Sequence, residues 1–193
     1  MSDDFLLTLP PVTPASASDA ARPLLERAHG ESGMIPNMYA RMVNAPALLA
    51  TYQDGYARFR AESGFTAAEQ EVVFLSISRE HECAYCVAAH SFLADAKAGV
   101  PRVVTDAIRD RAPIPDEKLA ALAGFVRHLV VTRGRPSRDA AHAFLRAGYS
   151  ETQVLYLILA IAVKTMSNYS NHLFDTPVDS IFKAREWNVP RIA

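Results

Sequence analysis

Cys83-Ala84-Tyr85-Cys86-Val87-Ala88-Ala89-His90 contains both cysteines of the chain and places a histidine four residues beyond the second. In a helix, residues three and four apart share a face, so this stretch sets Cys83, Cys86 and His90 on one side. Gly99 and Pro101 supply a stop for a helix carrying Cys83 to Ala98. The thiols then fall in the first turns, where the helix dipole favours thiolate, and a neighbouring thiol and imidazole lower a thiol pKa further.

Upstream, Thr66 followed by Glu69 is a capping box that opens a helix apolar nearly all round, with Val72, Val73, Phe74, Leu75 and Ile77 covering several faces. Such a helix is buried. It nevertheless carries Glu71, and a buried carboxylate needs a hydrogen-bonding partner or a proton. Downstream, Ser150 and Gln153 form a second capping box before the run Val154 to Val163, ten apolar residues that end at Lys164 and are too short to cross a bilayer.

The two regions align when the chain is shifted by 84 residues. Gly64-Phe65-Thr66 falls on Gly148-Tyr149-Ser150, and Cys83-Ala84-Tyr85-Cys86 on Ser167-Asn168-Tyr169-Ser170. The stop, cap, apolar helix and CxxC-like turn are expected in both halves. Oxygen replaces sulfur in the second, where Leu155 stands for Glu71 and Phe174 for His90. We read a duplicated helical unit with an active copy at 64–99 and a degenerate copy at 148–176.

The rest of the chain reads as helix and connection. Residues 1–17, with Pro10, Pro11 and Pro14, form an extended arm laid on a neighbouring surface. Helices are expected from a Ser18 or Asp19 cap to His29, from an Asn44 cap with Pro46 in the first turn to Glu62, and over 101–111 and 115–133. Another runs from a Ser137 cap to Ala147. Gly33-Met34-Ile35-Pro36-Asn37 reads as a break. Tyr52, Tyr56 and Phe59 form an aromatic stripe suited to core or subunit interface. No period-two alternation appears, so 1–193 is one all-α domain.

With 50% apolar and 21% charged residues and a net charge of -1, the composition is that of a soluble globular protein and offers no field for nucleic acid or an anionic membrane. The run Arg127, Arg133, Arg135 and Arg138 reads as a solvated helix end and loop. The N-terminus lacks a basic, apolar signal sequence, and the expected localisation is cytoplasmic. A CxxC pair in that reducing compartment points to redox or metal chemistry rather than a structural staple.

Glu71, Cys83, Cys86 and His90 at these intervals resemble the alkylhydroperoxidase D family, within the carboxymuconolactone decarboxylase-like group of all-helical proteins. Ile35-Pro36-Asn37 and Asn168-Tyr169-Ser170-Asn171-His172 before Asp175-Thr176-Pro177 resemble its longer, peroxidase-related branch. The resemblance implies a thiol-dependent hydroperoxide reductase of AhpD-like fold. Cys86 would be the peroxidatic thiol, Cys83 the resolving thiol, and His90 with Glu71 a proton relay. It implies a small hydroperoxide substrate and no bound cofactor. An external dithiol, in the best-known relatives a lipoyl-bearing protein, would reset the pair, and the assembly would be a homotrimer or homohexamer.

Tyr85 stands where those relatives carry histidine. Its phenol can donate to sulfur or peroxide, which makes it a candidate substrate contact, although packing in the helix turn is the favoured account. Three other readings stay open. Zinc accepts Cys83, Cys86 and His90 with Glu71 or Glu82, though ligands on one helix make a cramped site. The disulfide could switch an oligomer's surface for a partner protein. Carboxymuconolactone decarboxylation belongs to the same group of proteins but does not explain a thiol pair.

Overall fold

The apolar segment predicted after Thr66 is the centre of the fold. A computed structural model of the protein describes residues 5–189. Its helices are α1 (Arg22–Ser32), α2 (Asn37–Met42), α3 (Pro46–Glu62), α4 (Ala67–Glu80), α5 (Ala84–Ala96), α6 (Arg102–Asp110), α7 (Glu117–Val131), α8 (Arg138–Arg146) and α9 (Glu151–Phe174), before a closing 3-10 turn (Ser180–Arg185). No strand occurs among the described residues, and none of their helices is long and apolar enough to cross a membrane.

Both capping boxes form as the sequence requires: Thr66 accepts from the Glu69 N–H and Ser150 from the Gln153 N–H, and each N3 side chain returns the bond. Every residue of α4 from Glu69 to Arg79 is buried. The helix packs against α5, α6, α7 and α9. Two apolar clusters result, one joining α4 to α7, α8 and α9, the other joining α1, α2 and α3 to α5 and holding both cysteines.

α3 crosses α9 at Gly55, where a Cβ would fall 2.8 Å from Val163 Cγ2. Glycine permits that approach, and the next residue of α9, Lys164, is thereby carried to the interior.

Four local expectations are corrected. α1 starts later and runs through Gly30 to a left-handed Gly33, with Pro23 in its first turn. The break at 33–37 is only partial, because Pro36 is the N-cap of the short α2. Asn44 does not cap α3; its amide instead donates to the carbonyls of Pro10 and Arg41. The largest difference lies in the second copy. α4 and α5 are separated at Glu82, whose φ of 56° breaks the helix, whereas α9 runs unbroken through Ser167 and Ser170. Both serines turn their hydroxyls back onto carbonyls of α9.

The arm lies on its own chain: Leu7 N–H donates to the Leu173 carbonyl and Val12 N–H to that of Ala40. Residues 1–4 of the expected arm lie outside the described residues.

Candidate active site

Cys83 is the N-cap of α5 and Cys86 lies one turn in. Both thiols are free and buried. The left-handed Glu82 and the bond from Cys83 N–H to the Ser78 carbonyl fix how α5 leaves α4. On α5, one further turn carries His90 beneath Cys86, as the spacing predicts. Glu71, from α4, reaches the same place, so the structure brings together the four residues selected from sequence.

Glu71 is 3% exposed and bridges two partners. Its Oε2 lies 2.8 Å from His90 Nδ1, and its Oε1 pairs with the Arg60 guanidinium of α3. Burial alone would raise this carboxyl, but His90 and Arg60 outweigh it and hold it below the usual carboxylate range. An ionised carboxylate only accepts, so His90 Nδ1 carries the ring proton. Its Nε2 is then an acceptor, 2.9 Å from Lys164 Nζ. Burial, reinforced by the Lys164 ammonium, pushes the imidazole down to about 4.

Lys164 is 1% exposed, and an ammonium at that depth requires compensation. Cys86, once ionised, is the counter-charge within reach. Burial opposes its ionisation, yet the Cys83 thiol, the Lys164 ammonium and the Asn171 amide outweigh burial and lower its pKa. Cys83 moves the other way, since its hydrogen bond toward Cys86 and its burial both favour the thiol form. Asn171 Nδ2 lies 3.3 Å from Cys86 Sγ and 3.8 Å from Cys83 Sγ. The pair is thus divided into one thiolate-forming sulfur and one thiol.

A cavity of about 240 Å³ opens over Cys86, His90 and Lys164. Tyr39, Tyr52, Tyr56, Met38, Leu93 and Phe182 contribute its walls. The aromatic stripe of α3 is therefore part cavity wall: Tyr52 stacks on Tyr56, and Tyr56 on Phe74, while Phe59 belongs to the core. Tyr85 also lines the cavity, but its hydroxyl donates to the buried Asp179 carboxylate ahead of the closing turn. Asp179 accepts from the Asn37 N–H as well, tying α2 and α5 to the chain's end.

A second cavity, about 210 Å³, lies between α4, α6 and α7. Arg111 and Arg127 at its wall pair with Glu80, and no thiol reaches it. Among the described residues no three His, Cys, Asp or Glu side chains form a metal-ligating group. Both nitrogens of His90 are engaged, by Glu71 and Lys164.

Sequence reading missed Lys164, Arg60 and Asn171. Lys164 carried a signal, because it closes an apolar run as Glu71 interrupts one. Asn171 carried only its place in the segment that resembles the peroxidase-related branch, and Arg60 carried none, since only packing brings α3 to α5.

The buried neutral imidazole couples stability to pH. His90 has its pKa lowered from 6.5 to about 4, so the unfolded chain takes up this proton first on acidification. Stability is therefore retained above pH 6.5 and lost through the window toward 4, by about 1.4 kcal/mol per pH unit for one histidine. His81, lowered to about 4 chiefly by burial, acts in the same direction. Urea midpoints should fall between about pH 7 and about pH 5, and His90→Gln should flatten the slope. An unchanged slope in that variant would contradict the neutral His90.

No family model matches the sequence. No curated protein matches it by sequence. Solved structures do match. An alkylhydroperoxidase AhpD core protein from Ralstonia eutropha JMP134, described as an uncharacterized peroxidase-related protein, is 18% identical, with 90% of this chain and 93% of that chain covered and a TM-score of 0.78. An uncharacterized peroxidase-related protein from Silicibacter sp. TM1040 is 17% identical over 95% of this chain and 96% of that chain, with a TM-score of 0.75. The apo debrominase Bmp8 is also 17% identical, over 91% and 94% of the two chains, with a TM-score of 0.73. The chain has the AhpD-like, all-helical fold.

Proposed function

We propose that this chain of AhpD-like fold is a thiol-dependent hydroperoxide reductase that cycles Cys86 and Cys83 between dithiol and disulfide. The observation that carries the reading is the division of the buried pair, Cys86 lining the cavity with its ionisation favoured and Cys83 kept as thiol behind it, outside the lining. A thiolate attacks the O–O bond, leaving sulfenic acid on Cys86 and an alcohol from the substrate. Cys83 then condenses with the sulfenic acid, forming the disulfide and releasing water. His90 and Glu71 serve as the proton relay. The mostly apolar and aromatic cavity favours an organic hydroperoxide over hydrogen peroxide.

No bound cofactor takes part, and an external dithiol, such as a lipoyl-bearing protein, returns the pair to the reduced state. The cytoplasm, where thiols are kept reduced, suits such a cycle. A homotrimer or homohexamer would use the outward stripe of α9, where Leu155, Ile158, Tyr169 and Leu173 are exposed.

The likeness to a debrominase, together with the aromatic walls, supports a second reading in which the same two electrons remove bromine from an aromatic ring as bromide. The deciding assay supplies an alkyl hydroperoxide with excess dihydrolipoamide or dithiothreitol. Continued peroxide consumption is expected. One oxidation without turnover would instead identify a redox switch, and bromide release from a brominated pyrrole without peroxide turnover would favour dehalogenation.

A further inference from the structure

The geometry points to Lys164 as the acid that protonates the leaving oxygen, with His90 acting behind it rather than on the substrate. This rests on the peroxidase reading of the site. The nitrogen of His90 that faces Lys164 bears no proton, because its only ring proton is held at Nδ1 against Glu71 Oε2, 2.8 Å away. Lys164 Nζ has protons to give. It donates one toward His90 Nε2 at 2.9 Å, and Lys164, His90 and Cys86 all line the same cavity.

Charge counting leads to the same residue. The groups facing the site are Glu31 from α1, Tyr39 from α2, Tyr52, Tyr56 and Arg60 from α3, Glu71 from α4 and His81 just after it, Cys83, Tyr85, Cys86 and His90 from the start and body of α5, Lys164 from α9, and Asp179 behind Tyr85. Burial keeps the phenols neutral, since each is raised, and keeps both imidazoles neutral. Arg60 is paired with Glu71. Glu31 is paired with Arg27, and Asp179 is taken up by the Tyr85 hydroxyl and the Asn37 N–H, so the anion set against Lys164 is the Cys86 thiolate. Attack consumes that thiolate, and the buried ammonium loses its counter-charge at the moment an alkoxide appears beside it.

The step closes in atoms and charge. Cys86 S⁻ forms a bond to the terminal oxygen of ROOH as the O–O bond breaks, and the oxygen departing with R takes a proton from the Lys164 ammonium to give ROH. The hydrogen of the terminal oxygen remains in the sulfenic acid. Cys83 then displaces that hydroxyl, and its thiol proton completes water. The disulfide state therefore holds neutral Lys164. When a dithiol reduces the disulfide, one of its two protons returns to Cys83 and the other to Lys164, while Cys86 leaves as thiolate. The buried cluster keeps the same net charge throughout, which spares it from holding an unpaired ion at any stage.

Lys164→Met removes both the charge and the proton, and Lys164→Arg keeps the charge but cannot release a proton in a protein. Both are compared with wild type in pre-steady-state oxidation by an alkyl hydroperoxide and by an aromatic disulfide, whose thiolate leaves unaided. The thiolate is titrated in parallel by its ultraviolet absorbance. At matched thiolate fraction, both variants should lose about 100-fold or more against the alkyl hydroperoxide and only a few-fold against the aromatic disulfide. Lys164→Met should also shift thiolate formation to higher pH, while Lys164→Arg should not. Equal losses against both oxidants would overturn the acid role and leave Lys164 as a charge that stabilises thiolate. An unshifted thiolate titration in Lys164→Met would overturn the pairing itself. A wild-type chain inert to every hydroperoxide, yet reactive to the aromatic disulfide, would overturn the peroxidase reading and with it the assignment to an oxygen leaving group.

Discussion

Cys86→Ser should lower peroxide reduction by about three orders of magnitude or more, whereas Cys83→Ser should still react once. The asymmetry follows from position. Cys86 lines the cavity, hydrogen-bonded by Asn171 and facing Lys164, so it meets the peroxide and is the sulfur whose ionisation the site favours. A serine hydroxyl in its place stays protonated and cannot attack the O–O bond. Cys83 lies outside the cavity lining, at the helix cap, and its proton is retained. Its loss leaves attack intact but removes the sulfur that would condense with the sulfenic acid. Rapid mixing with one equivalent of peroxide, read by intact mass, should show one added oxygen in Cys83→Ser and none in Cys86→Ser. Wild type should show the loss of two hydrogens. Sustained turnover with dithiol by Cys86→Ser would defeat the division of roles; in Cys83→Ser the external dithiol can itself condense with the sulfenic acid, so there the deciding result is a wild-type rate of turnover, which would remove Cys83 as the resolving sulfur.

What could be read from the sequence was local. The capping boxes at Thr66 and Ser150 use residues three apart, and both form. The facing of Cys83, Cys86 and His90 depends on helical period alone, and Glu71 stood out as a charge within an apolar run. Lys164 offered the same signal at the end of the second run, but its place suggested only a limit on helix length. The recurrence of a CxxC-like turn in the second copy failed because Met166, which aligns with Glu82, sits in continuous helix. Similar side-chain patterns accommodate either backbone there, and the left-handed step at Glu82 is set by how α5 docks. Tyr52 and Tyr56 show the same limit: periodicity marks their face as covered, but only the packing of α2, α5 and the closing turn leaves a cavity beside it.

Glu71→Gln should destabilise the fold by about 3–5 kcal/mol, because it breaks a buried ion pair on one side only. The substitution conserves shape but removes the carboxylate that Arg60 and His90 share. Arg60 is held by more than this pair: its guanidinium lies 4.8 Å from the Tyr56 ring centroid and 4.9 Å from that of Phe74. It cannot simply withdraw, although a quarter of its side chain is exposed and water can reach it in part. Adding Arg60→Met removes the unpaired cation and should recover about 1–3 kcal/mol of the loss, a coupling that two independent sites would not show. Recovery of stability should not bring recovery of chemistry. A glutamine can offer His90 either its oxygen or its amide protons, so the ring proton is no longer confined to Nδ1 and Nε2 no longer has to accept from Lys164. The oxidation rate of the double variant should therefore stay about 10²-fold or more below wild type. Urea unfolding of the four proteins in the cycle, alongside their oxidation rates, separates the two roles of Glu71. Strictly additive stabilities would remove the ion pair as a source of stability, and a double variant with wild-type rates would remove Glu71 from control of His90.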